Sequence, residues 1–229
     1  MKNIRLYAFV LVSIAYLIAQ IADQQTLIFI LKPLLMPTLA WWLANETHDL
    51  PVRFLRRMVL AGLIFSTLGD VLLLFAGGES GALFFLMGLV AFLFTHLSYI
   101  GGFSSLVNHK NGFLRSQPWW ALPFVVFLAG FLWWLWPGIP ADMRLPVGVY
   151  AGVITTMALS VVNLRDAVTH KIFWPMLTGA LLFMLSDCLI AVQKFGNALG
   201  EAGLAIMVTY LVGQFLIAKG VRDILMTSK

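Results

Sequence analysis

Four ionisable side chains stand inside otherwise apolar runs of this sequence: Lys32, Asp70, His96 and Asp187. Each such group costs at least about 2.5–3.5 kcal/mol at the centre of a membrane helix, so groups of this kind mark internal cavities or partners. Two carboxyls and one ammonium suit acid–base work. One carboxyl donates a proton while the other stays ionised and activates water, the division of labour that glycosidases use at acetal carbons. Tyr150 and Tyr210 reach the same level of their own runs and add phenols to it. His96 suits a packing hydrogen bond as well as it suits catalysis, while Ser186, beside Asp187, and Thr67, three residues before Asp70, fit helix packing as well as substrate binding. Lys32 has a purely structural alternative, neutralising one aspartate or snorkelling to the interface. The two aspartates fit that alternative less well, because two carboxylates and one lysine leave a charge over.

Metal chemistry lacks its parts. His48, His109 and His170 fall between the apolar runs and only His96 inside one, whereas a catalytic zinc usually takes two or three imidazoles converging with a carboxylate. The single cysteine, Cys188, excludes a disulfide within the chain and reads as a small packing residue. There is no HExxH, no Gly-x-Ser-x-Gly elbow and no phosphate-binding glycine loop. No metal and no cofactor is expected.

The elements that must position these groups are membrane helices. Hydrophobic residues make up 61 % of the chain and charged residues 11 %, against roughly half and a quarter in a soluble domain. The runs are continuously apolar and long enough for helices, whereas barrel strands would alternate in short pieces. Eight spans are expected, near residues 4–21, 26–43, 54–76, 81–106, 118–136, 145–163, 172–192 and 201–219, in one polytopic domain covering residues 1–229. The first run follows Lys2 and Arg5 as a signal peptide would, but it is long and lacks a small-x-small cleavage site before Asp23, so it reads as a span.

With the N-terminus inside, twelve of the fifteen basic residues face the cytoplasm, only Arg144 and Lys194 lie opposite, and Lys32 is within a span. That asymmetry predicts both termini inside. It also accounts for the net charge of +5 without a nucleic-acid partner. The fold class is thus an all-α bundle of about eight membrane helices, expected in the bacterial inner (cell) membrane.

Helix rise then gives depth. Asp70 lies 16 residues past Phe54, about 24 Å from the cytoplasmic boundary. Asp187 lies 15 residues past Ile172, about 22 Å by the same rise. Lys32 enters from the other side and reaches about 21 Å from the cytoplasm in a core about 30 Å thick. The three groups share one layer, with His96 somewhat below it. Glycine stands eight residues before the aspartate in both spans, as Gly62 before Asp70 and Gly179 before Asp187. An offset of four spans makes this a parallel repeat or a coincidence.

At these residues the chain resembles the YhhN-like lysoplasmalogenase family of integral membrane enzymes. The resemblance runs through Lys32-Pro33, Gly62…Gly69-Asp70, Phe92-x-x-x-His96-x-x-Tyr99, Tyr150…Met157, Gly179-Ala180-x-x-Phe183-x-x-Ser186-Asp187 and Tyr210-x-x-x-Gln214. It implies hydrolysis of the vinyl-ether bond of a lysoplasmalogen to a fatty aldehyde and a glycerophospho-alcohol, with a lysophospholipid as substrate and no cofactor. Asp70 and Asp187 would be the catalytic pair, with Lys32, Tyr150, Tyr210, His96 and Ser186 around the substrate. The alternative is a small transporter or proton-coupled carrier. It lacks the pair of Gly/Pro-interrupted half-helices that transporters often show.

Overall fold

The computed structural model describes residues 4–48, 53–77, 80–107, 112–196 and 202–227. Among these residues there is no strand. The helices are α1 (Ile4–Ile21), α2 (Gln25–Glu46), α3 (Arg53–Leu74), α4 (Gly81–Ser104), α5 (Phe113–Ser116), α6 (Leu122–Leu135), α7 (Arg144–Val162), α8 (His170–Phe195) and α9 (Gly203–Thr227). Eight helical stretches are long and apolar enough to cross a bilayer. The chain is an integral, multi-pass membrane protein.

Seven of the eight expected spans match the stretches long enough to cross a bilayer to within three residues at each end. The last runs on to Thr227, eight residues beyond the expected 219. Beyond Lys219 the helix carries charges that find partners: Arg222 pairs with Glu46 at 3.1 Å and with Asp223 at 3.1 Å. The fifth span is one apolar stretch in three pieces, with 3-10 turns at Pro118–Ala121 and Trp136–Gly138 flanking α6. Proline at the start of each turn, Pro118 and Pro137, fits a first helical turn, where its missing N–H costs nothing. The four-residue α5 fell inside an expected loop, since one turn is too short to show a period. Lys2, His109 and the expected start of the last span at Glu201 lie outside the described residues.

Two compact units divide the chain, residues 1–102 with 221–229, and residues 103–220. In the first, α1 and α2 are joined through Asp23, whose φ of 51° lies in the left-handed region that aspartate tolerates better than most residues. At the far end of α2, the Arg56 guanidinium donates to the Ala44 carbonyl at 3.0 Å. Helices α3 and α4 meet along small residues. A Cβ at Gly69 would sit 2.6 Å from the Phe92 ring, and one at Gly62 would collide with the Tyr99 ring. Thr95 of α4 donates to the Gly62 carbonyl at 3.1 Å, and its hydroxyl also pairs with that of Ser66 at 3.1 Å.

The second unit packs α8 on α9 still more closely. A Cβ at Gly179 would lie 2.8 Å from the Gly213 carbonyl oxygen, so two backbones touch where side chains normally intervene. Helix α6 turns almost entirely outward, with only Leu135 buried. Trp119 and Trp133 are exposed near its two ends, as interfacial aromatics are. Ahead of α6, α5 is docked on the α7–α8 turn. Asn163 Oδ1 accepts the Leu114 N–H at 2.9 Å, and the Arg165 guanidinium lies 4.6 Å from the Trp120 ring centre and 5.1 Å from that of Phe113.

Candidate active site

Asp70 of the first unit stands on α3, one residue after Gly69. Phe92 can enter the notch at Gly69 because no Cβ occupies it, and that close approach of α4 helps to leave the carboxyl only 3 % exposed. Lys32 stands on α2 of the same unit. Tyr16 on α1 is a buried phenol of that unit. Tyr16 was not among the expected site residues. It is a polar side chain deep in the first span, and the depth count applied to Asp70 would have singled it out. His96 is wholly buried on α4.

In the second unit, Asp187 is also buried, on α8. The Tyr150 hydroxyl of α7 donates to its Oδ2 at 2.5 Å. These groups stand 37 residues apart in sequence and meet because α7 and α8 pack against each other. Tyr210 of α9 is buried with its ring edge-on to Phe183, centroids 5.5 Å apart. Ser186 donates its proton to the Ile206 carbonyl at 3.0 Å, which spends the hydroxyl's donor on holding α8 to α9. Lys32, Asp70 and His96 thus belong to the first unit, and Tyr150, Ser186, Asp187 and Tyr210 to the second.

Each unit therefore holds a buried aspartate, and in the second the Tyr150 hydroxyl of the preceding membrane helix donates to it. Such a group can carry a proton to or from a substrate that reaches it from the lipid. Among the described residues no three His, Cys, Asp or Glu side chains gather as metal ligands do.

The model of the YhhN family matches residues 27–221, which takes in Lys32, both aspartates and both tyrosines. The chain belongs to the YhhN family. Among its relatives is the protein named lysoplasmalogenase TMEM86A of Bos taurus, 29 % identical over 80 % of this chain and 74 % of that protein. A lysoplasmalogenase of Mycobacterium bovis is 29 % identical over 83 % of this chain and 70 % of its own length. Lysoplasmalogenase TMEM86B of Sus scrofa is 33 % identical over 79 % of this chain and 76 % of its own. No solved structure matches the chain. Family membership thus extends over spans two to eight, the same stretch that carries the buried acids.

Proposed function

We propose that this YhhN-family protein hydrolyses the vinyl-ether bond of lysoplasmalogens, with Asp70 and Asp187 as its acid–base pair. The reading is carried by one observation: both motif aspartates are buried in apolar helices of a chain whose relatives bear the name lysoplasmalogenase. Hydrolysis of a vinyl ether begins with proton transfer to the alkenyl carbon remote from oxygen, which one carboxylic acid supplies. The product is an oxocarbenium ion, stabilised by the negative charge of the second carboxylate. That carboxylate takes a proton from water as its oxygen attacks the cation, giving a hemiacetal. Collapse of the hemiacetal breaks the bond to the glycerol oxygen, which is protonated as it leaves, and releases the aldehyde. One water is consumed, both carboxyls return to their starting states, and no cofactor is required. Lys32, Tyr150, Tyr210, His96 and Ser186 are proposed to surround the substrate, with Lys32 or a tyrosine holding its phosphate.

Purified protein given a lysoplasmalogen should release fatty aldehyde, and none from an ester lysolipid of the same chain and head group. No aldehyde from any lysoplasmalogen would remove the proposal. The head group and water are proposed to enter from the extracytoplasmic half, following the positive-inside count. In a Cys188→Ala background, cysteines at Gly78 and Gly196 should react with an impermeant thiol reagent outside intact cells, and one at Asn111 should not. Labelling at Asn111 alone would invert the orientation.

A further inference from the structure

An apolar groove of about 510 Å³ lies between α2 and α3, within the first unit. Its α2 wall is Pro37, Ala40 and Ala44, and its α3 wall Leu60, Leu63 and Thr67. Both sets recur at helical spacing, so each is one stripe along its helix. Space remains because the α2 stripe is made of small side chains. Pro37 moreover leaves the Pro33 carbonyl without its helical N–H donor, a site where helices bend. The sides are open, for Trp41, Ile64 and Leu68 line the groove while remaining 50, 60 and 49 % exposed. Lipid therefore has lateral access.

Both ends of the groove are polar. Asp70 follows Thr67 by three residues on the same face of α3, so the stripe of Leu60, Leu63 and Thr67 leads directly to the carboxyl. One turn before Pro37 on α2 stands Pro33, beside Lys32. At the other end, Arg56 is bonded to the carbonyl of the lining residue Ala44, and the Arg5 guanidinium lies 5.4 Å from the ring centre of Trp41. From Asp70 to Leu60 is ten residues of helix, about 15 Å on the rise of an α-helix and half of a hydrocarbon core about 30 Å thick. That is the depth one lipid chain covers in one leaflet. The volume also falls within the range of about 300–1,000 Å³ of small-molecule sites.

We infer that this groove holds the single hydrocarbon chain of the lysolipid, its ether end at Asp70 and its methyl end toward Arg56. The inference rests on the proposed hydrolysis and adds the side of Asp70 on which the chain lies. It also makes the groove a ruler, because a chain too long for it meets guanidinium groups.

Photo-cross-linking tests occupancy without turnover. A saturated 1-alkyl lysophospholipid bearing a terminal diazirine should attach within residues 37–44 and 60–68, and excess unlabelled lysolipid should suppress the adducts. Adducts elsewhere, or equal labelling by a diacyl diazirine lipid that lysolipid does not displace, would overturn the inference, the second by showing bulk lipid in the groove. Chain selection gives the other arm. Ala44→Phe should lower the ratio of long-chain to short-chain kcat/KM by about tenfold, the low end of what one misfit methylene causes in a tight pocket. Leu60→Ala, which only removes atoms, should shift the preference toward longer chains. An active protein whose chain-length profile is unmoved in both variants would refute the groove alone. A wild-type protein that cross-links in the groove yet releases no aldehyde would instead refute the hydrolysis.

Discussion

The two units solve the same problem with different partners. Each buries one carboxylate on a helix whose next neighbour in sequence packs against it through small residues. In the first unit the preceding membrane helix carries a lysine, Lys32. In the second the preceding membrane helix offers a phenol, Tyr150, which donates to the carboxylate at 2.5 Å. A lysine can cancel the charge of its partner, whereas a tyrosine only shares it. Two carboxylates so differently accompanied suit two different tasks, which a pair of identical environments would not. The glycines differ as well. Gly62 and Gly69 admit aromatic rings, while Gly179 admits the backbone of Gly213.

The most severe way to break this comparison is to remove either acid. Asp70→Asn and Asp187→Asn should each fold and lose aldehyde release by at least about 100-fold, the effect of a lost acid–base group. Near-normal turnover by either purified variant would take that residue out of the mechanism. Removing the partners should cost less and unequally. Tyr150→Phe deletes a hydrogen bond to a charged group, for which about 1.5 kcal/mol is a low estimate, so kcat should fall by about tenfold. Lys32→Met should change the pH profile of kcat more than Tyr150→Phe does, because only that change removes a formal charge. Identical profiles would erase the distinction between the units.

Packing separates them on a smaller scale. Gly179→Ala drives a methyl into a carbonyl oxygen and the α9 backbone, which have no rotamer to escape to. At Gly69 the three atoms nearest the added methyl all belong to the Phe92 ring. Unfolding in mixed micelles should show a loss of about 1–3 kcal/mol for Gly179→Ala and a smaller one for Gly69→Ala. The reverse order would mean that the ring is the more rigid neighbour. Smallest of all, Ser186→Ala should lower stability by about 0.6 kcal/mol, the mean for hydrogen bonds between membrane helices, and raise KM. An unchanged KM would take Ser186 out of the substrate's surroundings.

Span positions were legible in the sequence because the bilayer makes them a local property. A membrane helix must satisfy its own backbone hydrogen bonds and be apolar along its length, and both conditions can be counted without knowing a neighbour. The buried acids were legible for the same reason, since Asp70 and Asp187 stand out against a nearly uncharged background. What could not be counted was continuation beyond the apolar stretch. Helix α9 runs on past Lys219 because Arg222 finds Glu46, 176 residues away in the chain.

The sequence by itself determined the class of protein and the eight spans. Only the tertiary structure decided which groups meet. Tyr150 and Tyr210 are expected at similar depths from the sequence, yet the former bonds Asp187 and the latter lies edge-on to Phe183. The groove exists because Ala40 and Ala44 face Leu60 and Leu63 rather than lipid. Depth follows from rise along a single helix, while facing depends on rotation about its axis, which packing against neighbouring helices sets.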